Sequence, residues 1–405
     1  MEFIWPQYEG GSIVNLPATM AAILGAGLEG APPLEPSLWK DIARGTERIV
    51  AILMDAVGYL ALQRLMEKDP SFLFARLARE GSFSSITSVF PSTTVAALAS
   101  FWTARPPVEH GLTGYTIYFK DFGVVANALT LAPMRNERGE SLEKWGLEPE
   151  KLVPVPSFPQ LLNPWGVKVV VLIHREFVKS PFSRALHREV AEAVGFLTTS
   201  EMWIILRHLL RKYAGEKVIV SVYWGLVDAL AHLYGPGDET WEAELRNFAF
   251  SMEHDFLERL EPQDRKGTLL MIFSDHGQVQ TRPEKAILAM KHPELWELLA
   301  LPPTGESRAS YLHVRDGRKE QVRAYLEEKI GSFTVLDSRE ALEKGLFGRG
   351  NPAPDFYSRI GDLIAIARGE EHLVWGYEEP RLKGRHGGLS PEEMLVPLLM
   401  VRLDG

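Results

Sequence analysis

Acidic and histidine side chains stand where apolar runs of the chain end. Asp55 comes directly after the apolar run 49–54. Asp275 and His276 follow the run 269–273, with one serine between. Buried parallel strands are apolar on both faces, and their carboxyl ends meet at one edge of the sheet, where ligands bind. We therefore expect these side chains to share a pocket at that edge.

A second set of such residues follows another strand-like run, residues 218–223. Asp228 and His232 come after this run, and His386 lies in a glycine-rich turn. A spacing of four places Asp228 and His232 on one face of a helix, where both can bind a single ion. Nitrogen and oxygen ligands without sulfur favour zinc in a catalytic site, with manganese and iron as alternatives. The pattern predicts a site for divalent metal ions.

Three hydroxyl residues stand before an alanine-rich helical pattern. Ser92, Thr93 and Thr94 follow Pro91, and the pattern continues to Trp102. The free N–H groups at a helix N-terminus attract phosphate, and a metal ion can activate a hydroxyl that is otherwise a weak nucleophile. One of the three hydroxyls is the expected nucleophile, and this reasoning does not choose among them.

Each feature also has an ordinary structural explanation. A strand-end aspartate often caps a turn, an Asp four residues before a His is usually a surface pair, and a Ser or Thr before a helix is usually its N-cap. The joint pattern favours the metal site. The other histidines lack this placement, and we interpret most of them as surface or packing residues: His110, His174, His187, His208, His254, His292, His313 and His372.

Strand-like and helix-like segments alternate along the chain, which predicts an α/β fold with a doubly wound, mostly parallel sheet flanked by helices. Helical periodicity is found at 60–79 and 201–213. The apolar runs interpreted as buried parallel strands are 49–54, 167–173, 218–223, 269–273 and 363–367.

Residues 282–376 have a different pattern. Strand-like runs at 310–314 and 333–336 flank a helix-like segment at 319–330, which predicts a small α+β insertion. We expect residues 1–281 and 377–405 to form the catalytic domain and 282–376 to form an inserted cap subdomain.

The composition limits the classes of function. The chain of 405 residues has no cysteine, which excludes disulfides, thiolate metal sites and cysteine nucleophiles. The net charge is -9 and no Lys/Arg block is present, so a nucleic-acid polymer is not an expected partner. No secretory signal pattern or apolar run of membrane-spanning length occurs. We expect a soluble cytoplasmic protein with no membrane partner; its oligomeric state stays open.

At these residues the chain resembles the type I phosphodiesterase and nucleotide pyrophosphatase branch of the alkaline phosphatase superfamily. The resemblance implies an alkaline-phosphatase-like fold. The blocks that carry it, in chain order, are Asp55, Phe90-Pro91-Ser92-Thr93-Thr94, Glu109-His110-Gly111, Asp228-Ala229-Leu230-Ala231-His232-Leu233-Tyr234-Gly235-Pro236, Ser274-Asp275-His276-Gly277 and His386-Gly387-Gly388.

The resemblance implies roles for individual residues. Counting back from His110-Gly111 selects Thr94 as the nucleophile, which would form a covalent phosphoenzyme at two zinc ions. The implied metal ligands are Asp228, His232 and His386 for one ion, and Asp55, Asp275 and His276 with Thr94 for the other. The resemblance also implies an Asn three residues after the nucleophile, where this chain has Ala97. Arg105 and Tyr115 are candidates for the missing hydrogen-bond donor.

The implied activity is that of a phosphodiesterase or nucleotide pyrophosphatase acting on a small phosphoester, for which a nucleotide is one candidate. The alternatives are a phosphomonoesterase or a phosphonate hydrolase using the same metals, or a catalytically silent metal-binding module. A sulfatase is not expected, because the Cys/Ser-x-Pro-x-Arg segment that supplies the modified nucleophile of that class is missing.

Overall fold

The computed structural model of the protein describes residues 3–134, 140–376 and 381–404. The strands are β1 (Arg48–Met54), β2 (Ser82–Thr87), β3 (Thr116–Phe119), β4 (Val124–Asn127), β5 (Lys168–His174), β6 (Glu192–Phe196), β7 (Val218–Trp224), β8 (Thr268–Phe273), β9 (Val279–Gln280), β10 (Ala286–Leu288), β11 (Thr304–Gly305), β12 (Ala309–Leu312), β13 (Phe333–Asp337), β14 (Leu363–Ala367), β15 (His372–Val374), β16 (Gly384–Arg385) and β17 (Leu395–Arg402).

The α-helices are α1 (Leu16–Ile23), α2 (Tyr59–Lys68), α3 (Leu73–Glu80), α4 (Thr94–Thr103), α5 (Pro107–His110), α6 (Phe158–Leu162), α7 (Pro181–Leu186), α8 (Thr199–Lys212), α9 (Leu226–Tyr234), α10 (Glu239–Ser251), α11 (Pro262–Arg265), α12 (Pro293–Leu298), α13 (Lys319–Ala324), α14 (Ser338–Glu343), α15 (Phe356–Ile360) and α16 (Pro391–Met394).

A mostly parallel sheet forms the main layer. Within the described ranges it has seven strands in the order β2-β17-β8-β1-β7-β5-β6. Strands β8, β1, β7, β5 and β6 pair in parallel, and antiparallel β17 lies between β8 and β2. The predicted α/β fold with a mostly parallel sheet is confirmed.

Strand β1 shows why the central strands are apolar throughout. Ile49 and Leu53 enter the core on one face of the sheet, and Val50 and Ile52 enter the core on the other. Both faces are covered by helices, so no position along the strand is left for a solvated side chain.

A second, antiparallel sheet lies beside the first, with the order β13-β14-β12-β11-β3-β4 in the part of the chain that the structure describes. The run 363–367, interpreted from sequence as a parallel strand, is β14, and it pairs antiparallel with β12 and β13. That interpretation was wrong because β14 is also apolar on both faces. Ile364 and Ile366 enter one core, whereas Leu363 and Ala365 enter another.

The cap subdomain at 282–376 stays a proposal. It contributes β11 to β14 to the second sheet, and β3 and β4 of the same sheet come from 116–127, outside the proposed insertion. The helix expected at 319–330 is α13, continued by a π-helical segment, Tyr325–Ile330. The distal boundary adjoins 377–380, which lie outside the described residues.

A buried ion pair joins the second sheet to the main domain. Arg308, next to β12, donates from Nε and Nη2 to the two carboxylate oxygens of Glu393 in α16, at 2.7 and 3.0 Å. Glu393 also accepts the backbone N–H of Gly388 at 2.8 Å. Both charged side chains are buried, so the pair connects the cap, α16 and the loop of His386.

Across the described residues, no helix has both the length and the apolar character needed to span a bilayer.

Candidate active site

The predicted residues meet at the carboxyl edge of the main sheet. Asp55 follows β1, Asp228 lies in the helix after β7, and Asp275 follows β8. His386 precedes antiparallel β17, whose N-terminal end lies at the same edge. Three loops and helix α9 therefore supply side chains to one place, as the ends of parallel strands predict.

The first group contains Asp55, Asp275 and His276, all buried. Nε2 of His276 lies 3.5 Å from Oδ1 of Asp55 and 3.4 Å from Oδ2 of Asp275. The candidate ligand atoms of the three lie within 4.8 Å of one another. One cation placed among them could contact all three.

The second group contains Asp228, His232 and His386. Nε2 of His232 lies 3.4 Å from Oδ1 of Asp228, one helical turn away in α9, and the ligand atoms again lie within 4.8 Å of one another. The ring of His386 stacks on that of His276 with centroids 3.9 Å apart, so the two groups are adjacent. Burial lowers the pKa of His386 well below its ordinary value, and the neighbouring histidines lower it further. Its imidazole is therefore neutral, the form that binds metal.

Hydrogen bonds fix the orientation of all three imidazoles. A carbonyl oxygen can only accept, so an Nδ1 bonded to one must carry the proton, which leaves the lone pair of the neutral ring on Nε2. The Nδ1–H groups donate to backbone carbonyls as follows: His276 to Gly277 at 3.1 Å, His232 to Gly384 at 2.8 Å and His386 to Ser92 at 3.1 Å.

Two carboxylate oxygens of the first group are buried without a hydrogen-bond partner among the described residues. They are Oδ1 of Asp55 and Oδ2 of Asp275. Burial raises the pKa of Asp55 well above its ordinary value, and the charges of Asp275 and Asp228 raise it further. A divalent cation would satisfy the orphaned oxygens and offset this repulsion. The residues therefore fit a metal ion.

Thr94 lies beside the first group, at the first position of α4. Its Oγ1 is 3.1 Å from Nε2 of His276, and its side chain is partly accessible. The first backbone N–H groups of a helix have no partner inside the helix and point outward. The hydroxyl thus stands next to donors that suit the oxygens of a phosphate.

The two other hydroxyls considered from sequence are buried and engaged elsewhere. Oγ of Ser92 donates to the carbonyl of Gly388 at 2.8 Å and accepts the N–H of Gly387 at 3.2 Å. The hydroxyl of Thr93 lies close to the carboxyl group of Glu306, where it offsets part of the rise in pKa that burial causes in that group. Among the three, Thr94 is the residue whose hydroxyl contacts a candidate ligand.

Sequence reasoning missed three residues around the site. The hydroxyl of Tyr223 donates to Oδ2 of Asp55, and Nε2 of Gln278 donates to Oδ1 of Asp228 at 2.5 Å. Both residues lie near segments that the sequence had indicated: Tyr223 is at the end of β7, and Gln278 is two residues after His276. Glu306 had no comparable signal, because it reaches Thr93 from a distant part of the chain.

The suggested replacements for the family Asn have different positions. Ala97 is buried inside α4. Arg105 pairs with Glu29 at 2.9 Å and not with the candidate ligands. The backbone N–H of Tyr115 donates to Glu306 at 2.7 Å, which places Tyr115 near the start of α4.

The chain matches a known family model over most of its length. The model described as type I phosphodiesterase / nucleotide pyrophosphatase matches residues 49–389. No curated protein sequence matches the chain.

Several solved structures share the fold. An inactive variant of murine ectonucleotide pyrophosphatase / phosphodiesterase 5 in complex with AMP is 14% identical with a TM-score of 0.65, and the match covers 87% of each chain. Human ectonucleotide pyrophosphatase / phosphodiesterase 5 is 16% identical with a TM-score of 0.64, over 87% of each chain. Phosphonoacetate hydrolase from Sinorhizobium meliloti in complex with phosphonoformate is 17% identical with a TM-score of 0.61, over 87% of this chain and 89% of that one.

Proposed function

The chain belongs to the type I phosphodiesterase / nucleotide pyrophosphatase family, whose members hydrolyse phosphoester bonds, and within this activity we propose that it cleaves phosphodiesters through Thr94. The observation that carries the proposal is the convergence of six candidate metal ligands beside the Thr94 hydroxyl. A metal-binding module without catalysis would not need a hydroxyl at that position.

The ligand set favours two zinc ions. Imidazole nitrogens and carboxylate oxygens in groups of three leave room for substrate or water, as catalytic zinc requires. When bound, two such ions would favour the alkoxide of Thr94 and offset the negative charge of the phosphate group. Asp228, His232 and His386 would hold one ion. Asp55, Asp275 and His276 would hold the other, next to Thr94.

The residues of the chain then perform a double displacement. Oγ1 of Thr94 gives up its proton to solvent and attacks phosphorus, the bond from phosphorus to the leaving oxygen breaks, and that oxygen takes the electron pair and then a proton from solvent. The product is a phosphothreonine and a free alcohol. Water then attacks phosphorus, and Thr94 leaves and regains a proton. Throughout, the N–H groups at the start of α4 donate to the phosphate oxygens.

The ligands bound by structural neighbours support a small substrate. AMP is bound by the murine protein, and phosphonoformate and phosphonoacetate are bound by the bacterial hydrolase. A nucleotide-containing diester is therefore the first candidate here. A phosphonate or a phosphomonoester is the alternative for the same site.

The proposed cap subdomain at 282–376 gives the site a cover. Glu306 from this segment accepts the backbone N–H of Tyr115 and lies close to Thr93, the residue before Thr94. Because the cap subdomain lies beside the expected position of the phosphoryl group, it would contact the leaving group and shield that group from water.

The test is the Thr94→Ala variant. It should lose turnover roughly 10³-fold or more, because the attacking atom is removed, and keep its metal content, because six protein ligands stay. Turnover of bis-p-nitrophenyl phosphate, p-nitrophenyl phosphate and a phosphonate monoester should be measured together with metal content by elemental analysis. Thr240→Ala, at an exposed helix start, is the matched control.

Two outcomes would contradict the proposal. Undiminished turnover in Thr94→Ala would assign the attack to another group. A wild-type protein that contains two metal ions per chain but cleaves no member of the panel would favour the silent module.

A further inference from the structure

Glu306 joins three segments around the nucleophile. It lies in the turn between β11 and β12, and its Oε1 accepts the backbone N–H of Tyr115 at 2.7 Å. Its carboxyl group also lies close to the hydroxyl of Thr93, the residue before Thr94, which offsets part of the rise in pKa that burial causes in the carboxyl group. These contacts place an acidic group beside the phosphate-binding end of α4.

The loop of His386 is shaped to accept Glu306. Gly387 has a φ of +112°, and a Cβ at this position would lie 2.5 Å from Cβ of Glu306. A side chain at 387 would therefore push Glu306 away from the nucleophile. The backbone at Tyr115 and the backbone at Gly387 therefore both contact this glutamate.

No direct ion pair neutralises Glu306. Its neighbours include His276 and the guanidinium of Arg385, yet among the described residues no cationic nitrogen lies within 4.0 Å of its carboxyl oxygens. Nη1 of Arg385 donates instead to Oγ of Ser307, at 3.2 Å. Burial raises the pKa of Glu306 to about 7, so at about pH 8 its carboxyl group is mostly ionised and contributes negative charge to a site that must accept an anion.

From this placement we propose that Glu306 determines specificity, by selecting phosphodiesters, which carry one negative charge, over phosphomonoesters, which carry two. The inference rests on the proposed function. The second charge of a monoester would lie on an oxygen near Glu306, where repulsion in a partly buried site lowers kcat/KM by roughly tenfold or more. A diester carries an alkoxy group in place of that charged oxygen.

The test compares two substrates with the same leaving group, methyl p-nitrophenyl phosphate and p-nitrophenyl phosphate, at about pH 8, where the monoester is a dianion. Glu306→Gln keeps an oxygen acceptor for Tyr115 and Thr93 and removes the charge. The ratio of kcat/KM for diester over monoester should fall by about tenfold or more, mainly because monoester hydrolysis rises. Glu297→Gln, an exposed cap carboxylate, should leave the ratio unchanged.

The outcomes separate this inference from the proposed function. An unchanged ratio in a Glu306→Gln protein that keeps its metal content and melting temperature would overturn the role of Glu306 alone. If that variant fails to fold, the ratio of kcat/KM for diester over monoester in the wild type is the test. A wild-type preference for the diester agrees with the inference, and a preference for the monoester contradicts it. A wild-type protein that cleaves neither substrate overturns the proposed function instead.

Discussion

Three histidines present the same nitrogen to the candidate metal positions. In each ring Nδ1 donates to a backbone carbonyl, so the orientation of Nε2 does not depend on another side chain. Because these hydrogen bonds already fix each imidazole ring, little conformational freedom of the rings has to be lost when a metal binds. The backbone around the three histidines thus holds their Nε2 atoms in the orientation that a metal ion would require.

The orientation of the Asp55 carboxylate, in contrast, depends on a hydrogen bond from another side chain. Tyr223 donates to Oδ2 of Asp55 and leaves Oδ1 directed toward His276. Its own pKa is raised well above the ordinary value by burial and by the nearby aspartates, so it remains a donor.

We predict that Tyr223→Phe weakens metal binding at the first group by about 10- to 100-fold, because Asp55 loses the bond that orients it. Competition with a chelator, followed by metal analysis, measures this. Tyr213→Phe, at the end of α8, serves as the control. Equal metal retention by both variants would show that Asp55 is held without the phenol.

At the scale of elements, the start of α4 and the loop of His386 act as one unit. Ser92 accepts Nδ1–H of His386 at its carbonyl, and its side chain bonds to Gly387 and Gly388. Because Ser92 lies two residues before Thr94, the proposed nucleophile and a candidate ligand, His386, are both held in place by the hydrogen bonds of Ser92.

Ser92→Ala should therefore lower the stability of the protein and the metal affinity at His386 together. Two buried backbone groups lose their partner, which should lower the free energy of unfolding by about 1–3 kcal/mol. Metal affinity at His386 should fall with it. Urea denaturation and metal titration measure the two effects, and Ser358→Ala, at a partly exposed position of α15, is the comparison. A loss of stability with unchanged metal affinity would show that the loop of His386 is held independently.

Helix α9 contributes its ligands through periodicity alone. Asp228 and His232 are four residues apart, and their side chains come within 3.4 Å of each other. A helix repeats every 3.6 residues, so this contact follows once α9 forms.

At the scale of the whole molecule, neutral histidines lie inside the protein away from the candidate site: His110 and His313 are buried, and His187 is partly buried. Burial lowers the pKa of His187 and of His313 to about 4, and that of His110 to about 3. In the unfolded chain their pKa is about 6.5. Between these values the unfolded state binds more protons, so each group's contribution to stability is complete above pH 6.5 and is lost as the pH falls toward 4.

His187→Leu tests this dependence against the wild type. His187 packs against Trp102 with ring centroids 4.5 Å apart, and its Nδ1 has no partner among the described residues. The free energy of unfolding of the variant should gain up to about 3 kcal/mol relative to the wild type between pH 7.5 and pH 4, because one titrating group is removed. Denaturant curves at several pH values measure the difference. His208→Leu, an exposed position, should give a parallel curve, and a parallel curve for His187→Leu would contradict the prediction.

Much of the fold and the candidate site was predictable from the chain. The buried strands are short apolar runs, and the acids at their ends had to meet because parallel strands end at one edge. This reasoning anticipated Asp55 beside Asp275, as well as the pairing of Asp228 with His232. It failed for residues 363–367, since burial on both faces looks the same in parallel and antiparallel sheets.

Other features depend on contacts between distant segments. Local sequence says nothing about the hydrogen bond between Tyr115 and Glu306, or about the ion pair between Arg308 and Glu393. Three neighbouring hydroxyls were equivalent until packing buried Ser92 and Thr93 and left Thr94 facing His276. Local patterns specify secondary structure and the position of a side chain along a strand or helix, whereas the partners that a buried polar group finds are set by how the loops pack together.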